Sequence, residues 1–305
     1  MNKKIECKPI LFDSLSKEEI ESYKKLVIPS ALHLFDLPAD PLHLLTGIEA
    51  RLDNQLIGLI IAQFLPDEHG AHLYSCVIEE SFRRKGIATF LFKSLQEHLT
   101  SYFKCTVMAF SYRADSPEEP IIEKILKHFN WPIPKYYLIR CHFLADNFNP
   151  PWYQEQLKLP KPKGFKIFPW KKLKPTEKER ILFQEDQGMY LGYLSPFSKE
   201  ETLSPLNSLG VRYKNKVVGW SITHRLDPHT IKYSILYMEK GCRLQGIWLI
   251  SQSIKIQKEH SSIFTHAIFD TNYGESELSW WRFVVRHLAP YAEKVEKFKW
   301  AIKAF

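Results

Sequence analysis

Two stretches of this chain repeat each other, and no other feature limits its fold as much. Arg51-Leu-Asp-Asn54-Gln-Leu-Ile57-Gly58 aligns with Arg212-Tyr-Lys-Asn215-Lys-Val-Val218-Gly219 at an offset of 161. Further on, Ile78-Glu79-Glu-Ser-Phe-Arg83-Arg-Lys-Gly86-Ile87 aligns with Met238-Glu239-Lys-Gly-Cys-Arg243-Leu-Gln-Gly246-Ile247 at 160. Matched blocks in matched order, with one residue of slippage, identify two copies of one structural unit. A chain of 305 residues with 45% hydrophobic content has enough apolar side chains for two cores.

Each copy predicts the same elements. A strand leads through a polar turn at Asn54 or Asn215 into a second strand, residues 56–65 or 217–226, and a third follows at 71–78 or 230–238. Ile87, Phe90, Leu91, Ser94, Leu95 and His98 then recur at the spacing of one helix face, as do Ile247, Ile250 and Ile254. A further strand is expected at 105–110 or 264–269. In the first copy, Ser116-Pro117-Glu118-Glu119 predicts a helix start, with Ser as cap and Glu at the positive end. An extended segment near 136–143 is expected to close the first copy. The proline-rich stretch after it, with Pro150, Pro151, Pro160 and Pro162, is expected to be a linker.

The loop between third strand and helix carries the chemistry. Arg83-Arg84-Lys85-Gly86-Ile87-Ala88-Thr89 places cations, a glycine and a hydroxyl at the start of a helix. Main-chain amides there face one point at the positive end of the helix dipole, a natural seat for a diphosphate. Gly86 and Ala88 permit close approach of main chain and phosphate. This R-x-x-G-x-A sequence, after a strand and before an amphipathic helix, resembles the coenzyme A motif of the GNAT (GCN5-related N-acetyltransferase) superfamily.

The resemblance implies an α/β (α+β) protein of two tandem GNAT domains, each a mixed, mostly antiparallel splayed sheet flanked by helices. The boundaries expected are residues 1–149 for an acetyl-CoA-binding domain, 150–164 for a linker and 165–305 for a degenerate second copy. It also implies acetyl-CoA as cofactor, held by Arg83, Arg84, Lys85, Gly86, Ile87, Ala88 and Thr89, with pantetheine pairing to main chain at Cys76, Val77 and Ile78. The activity implied is transfer of an acetyl group to a primary amine of a small molecule, peptide or protein. The alternative is a non-catalytic coenzyme-A-binding or sensing protein.

Strand alternation places His72, Tyr74 and Cys76 on one face, lining one wall of the cleft. His72, with an ordinary pKa of about 6.5, is the candidate base for the acceptor's ammonium. Relatives take their general acid from a tyrosine on the helix after the fifth strand, where this chain has Leu126, so return of the proton is left to Tyr112, Tyr74, water or no group at all. In the second copy Arg243 and Gly246 match the motif, but Trp248 stands where Gly or Ala belongs, and its indole is expected to block the phosphate.

The remaining composition excludes more than it suggests. Five cysteines without C-x-x-C spacing point to a reduced, cytoplasmic setting and to no metal site. The net charge of +8 is uneven, −2 up to residue 149 and +10 beyond it, but the lysines of the second half lack the aromatic interleaving of a nucleic-acid module, so nucleic acid is not the expected partner. No apolar run predicts membrane insertion. Monomer and homodimer remain equally open, and the expected partner is an amine-bearing acceptor.

Overall fold

The computed structural model describes residues 5–38, 40–273 and 278–305, with the side chains of 278–280 left aside. The chain divides into two compact units, one of residues 1–136 with 298–305 and one of residues 137–297.

The first unit begins with β1 (Ile5–Leu11), the capped helix α1 (Lys17–Lys24) and a 3-10 segment at Pro29–Asp36. β2 (Leu44–Leu52) and β3 (Gln55–Leu65) form the expected hairpin. Asp53 and Asn54 both have positive φ, 48° and 67°, the two-residue turn whose twist matches flanking strands. β4 (Gly70–Ile78), α2 (Ile87–Ser101), β5 (Val107–Arg113) and α3 (Glu119–His128) follow. α3 starts later than the sequence predicts, because Ser116 to Glu119 closes a separate turn, Glu119 N donating to Ser116 O at 3.1 Å.

The sheet is antiparallel except where β4 runs parallel to β5. Its two faces bury different cores. Ile87, Leu91, Leu95 and Leu126 from α2 and α3 pack on one face with Ile60, Leu73 and Phe110. Tyr23, Leu26 and Leu34 pack on the other with Leu45, Leu59 and Ile61.

The remainder of the chain contains β6 (Lys135–Leu144), α4 (Pro151–Lys158), β7 (Phe165–Pro169), α5 (Pro175–Asp186), β8 (Leu209–Tyr213), β9 (Lys216–Arg225), β10 (Thr230–Met238), α6 (Gln245–Glu259), β11 (His266–Asn272), α7 (Leu278–Phe283) and β12 (Lys294–Ala304). β8 and β9 repeat the hairpin, with positive φ at Lys214 and Asn215. β10 runs parallel to β11 as β4 does to β5.

The two sixth strands depart from expectation. β6 forms where the sequence predicts it, but Leu138–Leu144 pairs antiparallel with β11 in the second unit. The open edge of β5 is taken instead by Phe298–Ala304 of β12, paired with Arg113–Val107. The units therefore differ from the boundaries 1–149 and 165–305. The stretch 150–164 is also more than a connector: α4 lies in it, and Tyr153 is buried with Ile250 and Ile254 of α6. Among the described residues no helix is long and apolar enough to cross a membrane, and no group of three or more His, Cys, Asp or Glu is placed to hold a metal.

Candidate active site

The loop from β4 to α2 has the backbone an anion needs. Arg84 and Gly86 both adopt positive φ, 63° and 79°, so successive amides turn toward one side as the chain enters the helix. Gly86 is the N-cap of α2, and no side chain caps the helix's free amides. A Cβ built on Gly86 would meet nothing within 4 Å. Glycine is thus demanded by its φ, and the space before it is open.

Around this turn, Ile87 is buried and pins the helix start to the core, while Arg83, Arg84, Lys85 and Gly86 are exposed and Ala88 and Thr89 are half-buried. Arg83 Nε donates to Ile78 O at 3.1 Å. Lys85 Nζ donates to Ser81 O at 3.0 Å and stands 4.9 Å from the Phe82 ring centroid. Cationic groups, unsatisfied amides and the helix dipole all favour one kind of guest, a phosphate.

Beside the loop the sheet opens. β4 pairs with β5 only over Gly70–Leu73, then continues with β3 alone to Ile78. Glu79 N donates to Ile57 O, and antiparallel pairs alternate. The main-chain groups of Cys76 and Ile78 therefore point into the opening, whereas Val77 turns its own toward Leu59 of β3. Two of the three residues expected to meet pantetheine face the gap. The Cys76 thiol packs against the α2 side, and burial pushes its pKa up to about 12, which makes it a poor nucleophile.

A β-bulge changes the expected wall. The β3–β4 register shifts between Ile61 and Ala62, leaving Tyr74 without a partner. His72 and Tyr74 stay together, ring centroids 4.6 Å apart, and Tyr74 joins the α1-side core while Cys76 packs on the opposite one. His72, Tyr74 and Cys76 do not share a face. His72 Nε2 lies 3.2 Å from Ser111 Oγ of β5, and burial lowers its pKa. Tyr74 Oη donates to Gln63 Oε1 at 3.3 Å, and burial raises its pKa.

Tyr112 is not brought to this pair. It lies in the α2–α3 core, its hydroxyl donates to Glu123 Oε1 at 3.1 Å, and burial followed by the Glu123 charge raises its pKa. Leu126, 1% exposed, is a core side chain. Ser111 was not singled out in the sequence; alternation along β5 opposite the apolar Phe110 and Tyr112 is the signal that would have found it.

The second unit keeps the frame and changes the chemistry. Its β9–β10 register shifts at Ser234, the counterpart of Tyr74. Lys232 and Asp270 occupy the places of His72 and Ser111 and form an ion pair at 2.8 Å, and Arg140 binds the same carboxylate through Nε and Nη2 at 2.8 and 2.9 Å. Burial would raise the Asp270 pKa, but these cations hold it below its ordinary value.

The loop differs by backbone rather than by obstruction. Leu244 is right-handed at φ −61°, and α6 already begins at Gln245, so Gly246 is an ordinary helical residue against Met238. Trp248 does not stand in a phosphate's approach; its indole is buried with Val211, Val218 and Leu249. Trp248→Ala should accordingly lower stability by about 3 kcal/mol through cavity formation and create no coenzyme A site. Denaturant melts and a binding titration check both halves of that expectation.

Residues 9–118 match the model of the acetyltransferase (GNAT) family. No curated protein matches the sequence. Among solved structures, a tandem GNAT protein from the clavulanic acid biosynthesis pathway superposes with a TM-score of 0.62 at 10% identity, covering 99% of this chain and 98% of that one. A GCN5-related N-acetyltransferase from Sphaerobacter thermophilus gives 0.60 at 13% identity, covering 95% and 86%. These likenesses show the fold. Residues 9–118 are thus similar in sequence to the acetyltransferase (GNAT) family, and the chain over its length has the fold of a tandem GNAT protein.

Proposed function

We propose that this protein transfers an acetyl group from acetyl-CoA to a primary amine of a small molecule, peptide or protein, using the first unit. The observation that carries this reading is the paired positive φ of Arg84 and Gly86 at the uncapped start of α2, which the second unit lacks. Arg84, Lys85 and the amides from Gly86 to Thr89 would hold the diphosphate. The main chain of Cys76 and Ile78 would pair with pantetheine in the gap beyond Leu73. When bound, the coenzyme supplies an activated acyl thioester.

The chain's own residues handle the protons. His72 is half-buried and neutral at neutral pH because burial lowers its pKa, so its imidazole can take a proton from an ammonium at the sheet surface. Tyr74, in ring contact with His72, keeps its phenolic proton because burial raises its pKa, and it can return a proton to a leaving thiolate. Tyr112 is left out of this role because it lies in the α2–α3 core, on the face of the sheet opposite His72.

His72→Ala should lower kcat/KM for the amine by about a hundredfold, the usual worth of a positioned base. The wild-type profile should fall on its acid side below pH 6.5, because the depressed pKa delays protonation to lower pH, and that limb should vanish in the variant. An unchanged rate and profile would remove His72 from the reaction.

A second reading, a coenzyme-A-binding or sensing protein, is favoured by the burial of Leu126 where relatives carry an acid. Calorimetric titration with coenzyme A alongside a turnover assay over an amine panel separates the two. Binding with turnover supports transfer, binding without any turnover supports sensing, and absence of binding removes both.

A further inference from the structure

The strand that fills the β5 edge brings side chains to the reaction face. Along β12, Lys299 pairs with Glu119 at 2.6 Å and Glu123 at 2.9 Å, Ala301 is buried in the α2–α3 core, and Lys303 Nζ donates to Phe129 O at 2.6 Å. These alternate residues face α3, so Trp300 and Ile302 between them face the other way. That is the face of His72 and Ser111, since Phe110 and Tyr112 take the α3 side of β5.

Register turns this face into a trough. His72 pairs with Ala109, and Ala109 pairs in turn with Ile302, while Ser111 pairs with Trp300. The floor is β5, with the small side chains of Ala109 and Ser111. One wall is His72 with Tyr74, and the other, two strand spacings or about 9.5 Å away, is Trp300 with Ile302. Trp300 is 42% exposed and Ile302 41%, so each keeps apolar area at the surface on the side of the candidate base. The core built on α1 covers this face up to Tyr74 and includes no residue of β5 or β12 among those described.

Charge narrows the guest. None of the side chains on this face of β4, β5 and β12 in the first unit is acidic. A second ammonium group on the acceptor would find no counter-charge there. An indole and an isoleucine instead offer area to a flat apolar body, the commonest energetic anchor of such sites.

We infer that Trp300 is an acceptor-binding residue of the first unit and that the acceptor is a monoamine carrying a planar apolar body. The inference rests on the reading above, in which His72 faces the reacting amine. Phenethylamine and tryptamine are the probes, set against spermidine and glucosamine. With acetyl-CoA saturating, kcat/KM for the two aromatic amines should exceed that for the other two by at least tenfold. Trp300→Ala should raise the phenethylamine KM at least tenfold with kcat within a factor of three, and Trp300→Phe should restore most of the loss. Calorimetric binding of phenethylamine in the presence of coenzyme A should weaken in step, a readout independent of turnover.

Preference for spermidine or glucosamine, or an unmoved KM in Trp300→Ala, overturns this inference while leaving acetyl transfer standing. Acetyl-CoA binding without turnover of any probe overturns it in favour of the sensing reading, and failure to bind acetyl-CoA removes the underlying reading as well.

Discussion

Ending the chain after Lys297 should unfold the first unit while the second keeps its core. The seven residues Phe298–Ala304 pair with the whole of β5, Phe305 N donates to Thr106 O at 2.9 Å, and Ala301 is buried at 4% exposure. A main-chain hydrogen bond contributes about 1 kcal/mol net, so the lost ladder alone comes to roughly 5 kcal/mol. Domain stabilities are of the order of 5–15 kcal/mol, so this loss takes between about a third and all of it before the burial of Ala301 and the Lys299 ion pairs are counted. Lys299, whose pKa is raised by its hydrogen bonds to Glu119 and Glu123, would be lost with the strand and leave two carboxylates facing each other.

Hydrogen exchange gives the direct check. In the shortened chain, amides of Val107–Arg113 should lose protection while those of α6 keep theirs. Addition of the peptide Phe298–Phe305 in trans should restore part of the protection. Unaltered exchange along β5 would mean that the strand pairing described here is not the one in solution.

Gly86→Trp should reduce affinity for coenzyme A at least a hundredfold and leave the fold in place. At φ 79° a side chain costs about 1–2 kcal/mol, so the loop would relax away from the left-handed turn that aims the amides. The indole would also fill the open space in front of the helix. Because a Cβ there meets nothing within 4 Å, the core under Ile87 is untouched and thermal stability should drop by only a few degrees. Calorimetric titration and circular dichroism measure the two quantities together. Wild-type affinity in a folded Gly86→Trp protein would show that the donor binds elsewhere.

The hairpins, the third strands and the helices after them were legible because each is fixed locally. Asn54 and Asn215 set turns, and Ile87 with its helical neighbours sets a buried face, whatever the rest of the chain does. The left-handed turn at the start of α2 was legible for the same reason, since Gly86 reports its own backbone. What escaped the sequence is non-local. β6 and β12 are both competent edge strands, and nothing in either states which fifth strand it will join. The bulge at Tyr74 likewise left no mark, yet it moved Cys76 off the face of His72. Trp248 misled for a related reason: a side chain at a helix start can turn inward when the backbone ahead of it is already helical.

The late arrival of β12 also has a consequence for how this protein is made. Its pairing segment lies far along the message from β5, and at roughly 5–20 residues per second a ribosome takes on the order of ten to forty seconds to cover that distance. Throughout that interval the nascent first half presents an unpaired strand edge, the kind of surface that recruits chaperones or seeds aggregates. Translation speed and chaperone supply should therefore govern the yield of active protein more than the intrinsic folding rate of either half.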